Sequence, residues 1–176
     1  MSAVGERNNL GLTAWDRYRI LTTYRTIAMV GLSSNYYNAS SFAAIYLDAN
    51  GYDVVPVNPA RAGKGKIKGK ILGRRVYADL AEAAAGHAIE IVDVFRPSRE
   101  LPAIAAQAIE IGAKVLWMQL GVVNDEAASL ARDAGLEVVM DRCCKIEHAR
   151  FFGGLRTIGL NTGVVTSRLA MRLPEA

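Results

Sequence analysis

No run of about 18 apolar residues passes uninterrupted by polar ones, so a membrane-spanning helix is not expected. The opening stretch, MSAVGERNNLGLTAWDRYRI, has no apolar core of the kind a secretion signal carries. Cysteine is scarce. Cys143 and Cys144 are the only two, and a bridge between neighbours would close almost no loop. A reducing, cytoplasmic setting is the expectation. Histidine is equally scarce, with His87 and His148 alone. Two isolated histidines and one adjacent cysteine pair offer no zinc spacing, so no metal site is expected.

Acid is missing from one stretch in particular. Residues 60–75, ARAGKGKIKGKILGRR, hold seven of the 21 basic residues and no Asp or Glu. Setting those seven aside leaves 14 basic against 17 acidic residues, a balance of −3, although the whole chain stands at +4. The excess of positive charge is therefore local, and a general nucleic-acid-binding surface does not follow from it. The tract 61–75 has no interleaved aromatics before Tyr77, and its glycines suit a solvated loop. A phosphate-contacting loop is its main functional alternative.

What remains is ordinary globular material. The chain has 176 residues, enough for one domain, with 51% hydrophobic and 22% charged residues. Three junctions share one pattern: a helical segment ends in glycine and a β-branched run follows. They are LDANG before YDVVPV (52–57), AIEIG before AKVLWMQL (113–120), and LARDAG before LEVVMD (136–141). Glycine closes a helix by accepting the left-handed conformation. Short Val and Ile runs read as buried strands. Two more strands are expected, at 26–32 (TIAMVGL) and 89–95 (IEIVDVF), with a short helix near 79–86 and a leading helix over 13–24. Pro102 suits a first helical turn, and Asn124 suits a helix cap. Alternation of strand and helix predicts an α/β fold: a five-stranded parallel sheet with helices on both faces. The tail from Phe151, FFGGLRTIGLNTGVVTSRLAMRLPEA, is glycine-rich and less periodic; its pattern fits wrapping the domain, joining a partner chain as in a homodimer, or a partly loose segment, and does not choose among them.

In such sheets ligands lie beyond the carboxyl ends of the strands. The candidate edge is Gly31–Ser34, Val57–Pro59, Phe95–Ser98 and Gln119–Val122, since each group follows a predicted strand. Gly31 permits close backbone approach or a positive φ. Backbone N–H groups at the following helix start can hold an anion, and Ser33 and Ser34 add hydroxyls. A phosphate-bearing nucleotide is the expected guest; the plainer alternative is a polar turn with a helix cap. The dinucleotide fingerprint G-x-G-x-x-G is absent, because the chain reads G-L-S-S-N-Y, and the second strand ends Val57–Asn58–Pro59 with no acid for a ribose hydroxyl. The pattern G-x-x-x-x-G-K-[ST] is absent as well.

Other residues weigh less. Asp93, inside an apolar strand, needs a hydrogen-bond partner; it is expected to be a satisfied structural acid that caps the opening loop or orients Arg96. Arg96, at a strand end, is a phosphate contact or a member of a surface ion pair. Cys143 with Glu147 and His148 suggests a thiol nucleophile, but five positions on a helix turn Cys143 and His148 to different faces.

Taken in order, GLSSNYYNAS, VPVNP, VDVFRPS, WMQLGVVNDEAA and MDRCCKIEHARFFGG resemble the small bacterial coenzyme A-binding proteins. Their fold is similar to the CoA-binding domain of the succinyl-CoA synthetase α-subunit. The resemblance spans roughly residues 15–165. It implies a Rossmann-like, doubly wound domain over 26–150, with an N-terminal helical lead over 1–25 and an extension over 151–176. It implies that Gly31, Leu32, Ser33 and Ser34 meet a pyrophosphate, with Asn38 and Ser40 in the same segment belonging to the site. Val57, Asn58 and Pro59 would border the adenosine, Phe95, Arg96 and Pro97 would form the next wall, and Gln119, Leu120 and Gly121 would flank the pantetheine arm. The ligand implied is CoA or an acyl-CoA, with no evident catalytic machinery. This chain departs from the family in carrying Asn35, Tyr36, Tyr37 and Asn38 where members often have Pro and Arg. Alternatives of other classes are an NAD(P)-linked oxidoreductase, an interaction or nucleic-acid-binding module acting through 61–75, and an acyl-transferring enzyme using Cys143.

Overall fold

The computed structural model describes residues 12–62 and 70–153. Positions 1–11, 63–69 and 154–176 lie outside that description, and with them the middle of the basic tract and nearly all of the expected C-terminal extension. Along the chain run α1 (Ala14–Thr23), β1 (Thr26–Val30), α2 (Ala39–Ala49), β2 (Asp53–Val57), the two-residue strands β3 (Lys70–Ile71) and β4 (Arg74–Arg75), and α3 (Leu80–Ala84). There follow β5 (Ile91–Val94), α4 (Leu101–Glu110), β6 (Val115–Met118), α5 (Asp125–Asp133), β7 (Glu137–Val139) and α6 (Cys144–Phe152).

Five strands form one parallel sheet in the order β2-β1-β5-β6-β7. Alternate residues along each strand point to opposite faces, and here both faces are covered. Ala28, Val55, Val92, Leu116 and Val138 pack under α3, α4 and α5, where alanines 105, 108, 127, 128 and 131 allow close approach. Ile27, Met29, Ile91, Trp117 and Val139 pack under α1, α2 and α6. The row Met29–Asp93–Trp117–Val139 runs straight across four strands, so the Asp93 side chain belongs to this second face. The expected α/β sheet with helices on both faces is thus the observed architecture.

The strands are one to four residues shorter than the expected runs, because residues at their ends leave the sheet and turn. The edge strand β2 carries Pro56, which an outward-facing edge position tolerates. Tyr77 covers that edge, its N–H donating to the Pro56 carbonyl and its own carbonyl accepting from Asn58. The leading helix docks against the last one. Arg17 Nε donates to Glu147 Oε2 at 2.9 Å, and both side chains are buried. Arg150 also pairs with Glu147, at 2.7 Å. The helix caps fall where the residue types indicate. Thr13 and Asp16 close a capping box on α1, and the Asn124 side chain accepts from Ala127 N–H on α5.

One element was not expected. Residues 70–75 form an antiparallel hairpin whose two-residue turn, Leu72–Gly73, has positive φ at both positions. Its six residues carry no alternating pattern that would announce it. Arg74 ties it down, donating to Asp48 at 2.7 Å, to the Val54 carbonyl at 2.8 Å, and to Asp53.

Candidate functional site

The strand order places the topological switch between β1 and β5: the chain leaves β1 for β2 on one side and then starts β5 on the other. The tips of these two strands nearly touch. Gly31 has φ +88°, and its N–H donates to the Val57 carbonyl at 2.8 Å. A Cβ on it would lie 2.9 Å from the Phe95 carbonyl oxygen and 2.7 Å from Arg96 Cδ. This glycine is needed for contact between two strand tips as well as for its backbone conformation.

Beyond Gly31 the loop braces itself. Leu32 is buried in the core, and its carbonyl accepts from Asn58 Nδ2 at 2.9 Å. Ser33 N–H donates to the buried Ser40 Oγ at 3.1 Å. Ser33 Oγ accepts from Asn35 N–H at 3.0 Å, and Asn35 Oδ1 accepts from Tyr37 N–H at 3.0 Å. Ser41 Oγ donates to the Ser33 and Asn35 carbonyls, each at 2.8 Å. Serines thus stand where a glycine fingerprint would have bare backbone, because this loop is shaped by side-chain hydrogen bonds. Asn58 also accepts from Ala60 N–H at 3.0 Å, which turns the chain after β2 and leaves Pro59 exposed. Ser34 is exposed. Asn38 occupies the cap position of α2 without a side-chain cap bond, so the helix presents an uncapped N-terminus beside the serines.

The β5 and β6 tips are built differently. Phe95 packs on the core, and Pro97 starts a single 3-10 turn over Ser98–Glu100. Arg96 lies in a two-pronged pair with Glu100, Nε to Oε2 at 2.7 Å and Nη2 to Oε1 at 2.9 Å. That hydrogen bonding holds the Glu100 carboxyl below the usual range. Gln119 is buried and donates to Asp93 Oδ1 at 2.6 Å. Leu120 is exposed, and Gly121 N–H donates to Asp141 Oδ1 at 2.7 Å. Ser98 joins the two tips, its Oγ accepting from Val123 N–H and its carbonyl accepting from Asn124 Nδ2.

Among the described residues Asp93 has no hydrogen bond to the opening loop or to Arg96. Its sole hydrogen bond from a side chain comes from Gln119, and Oδ2 has no partner among the described residues. Complete burial pushes its pKa up to about 7. Cys143 and Cys144 lie near enough to feel its charge, and burial raises both thiols above the ordinary value. A raised thiol is a poor nucleophile at neutral pH. His148 faces Tyr46, Tyr52 and Phe152, with Tyr46 Oη 3.0 Å from its Nδ1, and Glu147 is engaged by Arg17 and Arg150. Cys143, Glu147 and His148 therefore do not converge on one point. Among the described residues no group of three His, Cys, Asp or Glu side chains is arranged to hold a metal ion. No helix there is long and apolar enough to cross a membrane.

A cavity of about 160 Å³ opens between the β1–α2 loop, the flank of α2 and the β3–β4 hairpin. Ser33, Ser34, Tyr36, Ser41 and Lys70 bring polar groups to it, over an apolar floor that includes Ile45 and Ile71. Of these, Ser41 and Tyr36 were not among the expected site residues, and Lys70 was expected only as part of the alternative phosphate-contacting loop 61–75. Only a folded hairpin brings Lys70 back beside the serines, and no local pattern signals that return.

A parallel α/β sheet of this order, with a polar loop and an uncapped helix start at its switch point, defines the class of nucleotide-binding α/β domains. The chain belongs to the family described as the CoA binding domain, whose model matches residues 25–149. It is 36% identical over 130 residues to the uncharacterized protein YneT of Bacillus subtilis, covering 74% of this chain and 90% of that one. A hypothetical protein from Pyrococcus horikoshii has a similar structure, with a TM-score of 0.74 and 38% identity over 81% of this chain and 94% of that one. A Thermus thermophilus structure, cell-free ID.343, superposes with a TM-score of 0.73 at 28% identity, covering 80% of this chain and all of that one.

Proposed function

We propose that this protein binds coenzyme A or an acyl-CoA across the carboxyl edge of its sheet and carries no catalytic machinery of its own. The diphosphate lies on the loop from Gly31 to Ser34, against the N-terminus of α2 where Asn38 and Ser40 stand. Val57, Asn58 and Pro59 border the nucleotide; Phe95, Arg96 and Pro97 form the wall at the switch point; Gln119, Leu120 and Gly121 flank the pantetheine arm. The binding unit is 26–150, with 1–25 and 151–176 as flanking segments. The family match carries the ligand class. The observation that carries the location is the uncapped start of α2 beside Ser33 and Ser34, since unsatisfied N–H groups and the helix dipole there favour an anion. The absence of an acid at the tip of β2 fits a ribose that bears a phosphate. Two free, adjacent cysteines fit a reducing cytoplasm.

Thermal unfolding of the full chain with CoA, NADP or NAD at equal concentration tests this function. A ligand at 100 times its Kd adds about 2.7 kcal/mol. For a chain of this size that raises Tm by roughly 5–11 °C. CoA is expected to give the largest shift. A larger shift with NADP than with CoA overturns the proposal in favour of an oxidoreductase.

A further inference from the structure

The cavity beside the opening loop contains an unneutralised cation. Lys70 lines it, and no Asp or Glu does. Lys70 makes no ion pair among the described residues, whereas the arginines around the sheet edge are engaged: Arg74 by Asp48 and Asp53, Arg75 by Glu82, Arg96 by Glu100. Residues 31–40 hold no Lys or Arg at all. The hairpin that presents Lys70 is anchored at both ends of its turn. Ile71 is buried in the core, and Arg74 clamps β4 to α2 and β2. The Ser34 hydroxyl and N–H have no partner among the described residues, and Ser33 Oγ, which accepts from Asn35, keeps its own proton to donate. A lysine and two serine hydroxyls, with no carboxylate among the lining residues, make a donor set for a compact dianion.

We infer that Lys70 is a specificity-determining residue: while the backbone of the Gly31–Ser34 loop meets the diphosphate, Lys70 and the hydroxyls of Ser33 and Ser34 form a subsite for a phosphomonoester on the ribose of the bound nucleotide, which in CoA is the 3′-phosphate. This rests on the CoA-binding function proposed above and adds to it where the extra phosphate sits and which side chain reads it. A chain without arginine in its opening loop thereby acquires its phosphate cation from the β3–β4 hairpin.

Titration calorimetry on the full chain, with CoA and dephospho-CoA against wild type, Lys70→Ala and Lys70→Arg, tests the inference. Lys70 is exposed, so neither substitution disturbs the core. A charge-assisted hydrogen bond corresponds to roughly a tenfold to hundredfold preference. Wild type is expected to favour CoA over dephospho-CoA by that factor, Lys70→Ala to bind the two within about twofold, and Lys70→Arg to restore most of the preference. Equal binding of the two ligands by wild type, or a preference that survives in Lys70→Ala, overturns the subsite and leaves CoA binding itself standing. Failure of wild type to bind either ligand overturns both. An NADP and NAD pair run alongside separates sources of the phosphate: a Lys70-dependent preference for NADP, without one for CoA, assigns the subsite to a 2′-phosphate and overturns the 3′ assignment.

Discussion

The two halves of the sheet edge solve the same problem in opposite ways. At the β1 tip the side chains that brace the loop are small and neutral: Ser33, Ser40, Ser41, Asn35 and Asn58 bond to it or to one another, and the Ser34 N–H and hydroxyl stay unpartnered among the described residues. At the β5 and β6 tips the strongest polar side chains are already engaged. Arg96 is neutralised by Glu100, and Gln119 is held beneath the surface by Asp93. A neutral network can accept an anion without first breaking an ion pair. A neutralised arginine must leave its partner before it can help. This difference supports the proposed placement of the phosphate on the β1 side, with the β5–β6 side as a wall.

The largest effect expected is from Gly31→Ala, which joins the two halves. A Cβ there meets the Phe95 carbonyl oxygen at 2.9 Å and forces a left-handed conformation on alanine. The expected loss is about 2–4 kcal/mol in urea unfolding, with weakened CoA binding. A loss below about 1 kcal/mol would mean that the tips separate easily and that the contrast between them is shallow.

Asp93 gives the next effect, confined to the β5–β6 half. Its carboxyl titrates near 7 in the folded chain and near 3.8 when unfolded. Between those values the folded state holds a proton that the unfolded state has released, so stability falls as pH rises across that window. The contribution is on the order of a few kcal/mol between pH 4 and pH 7. Asp93→Asn is expected to flatten this part of the curve in denaturant melts at stepped pH. An unchanged slope would remove Asp93 as its source.

Breaking the β1 network comes third. Asn58→Ala leaves the Leu32 carbonyl without its side-chain donor and is expected to cost about 1–3 kcal/mol, and Ser40→Ala about 1 kcal/mol. Both should lower CoA affinity more than stability alone accounts for, as read by calorimetry at a temperature where each variant is folded. The smallest effect belongs to Arg96→Ala. Its i, i+4 pair with Glu100 is half exposed, so stability should move by less than about 1 kcal/mol. A more than tenfold loss of CoA affinity with this variant would show that ligand binding draws Arg96 away from Glu100, and would erase the asymmetry described above.

Much of this was legible in the residues. Strand runs punctuated by glycine define a parallel sheet because the periodicity of burial is local and repeats. Gly31 announces a turn because few other residues accept its φ. Asp93 announces an obligatory partner because a buried carboxyl is costly alone, but the partner's identity, Gln119, lies 26 positions away and depends on β5 and β6 being neighbours. Lys70 was hidden within a basic tract whose seven charges look alike in sequence. Only the hairpin separates it from Arg74 and Arg75, which meet acids, and turns it toward the serines.

The chain's own order of residues decided the layers, the crossing pattern and the edge proposed for the ligand, since these follow from local burial and backbone preference. Tertiary structure alone decided which charges at that edge are neutralised and which stay available. Ion pairs such as Arg17 with Glu147 join residues 130 positions apart, and whether they meet depends on helix packing that no short stretch encodes.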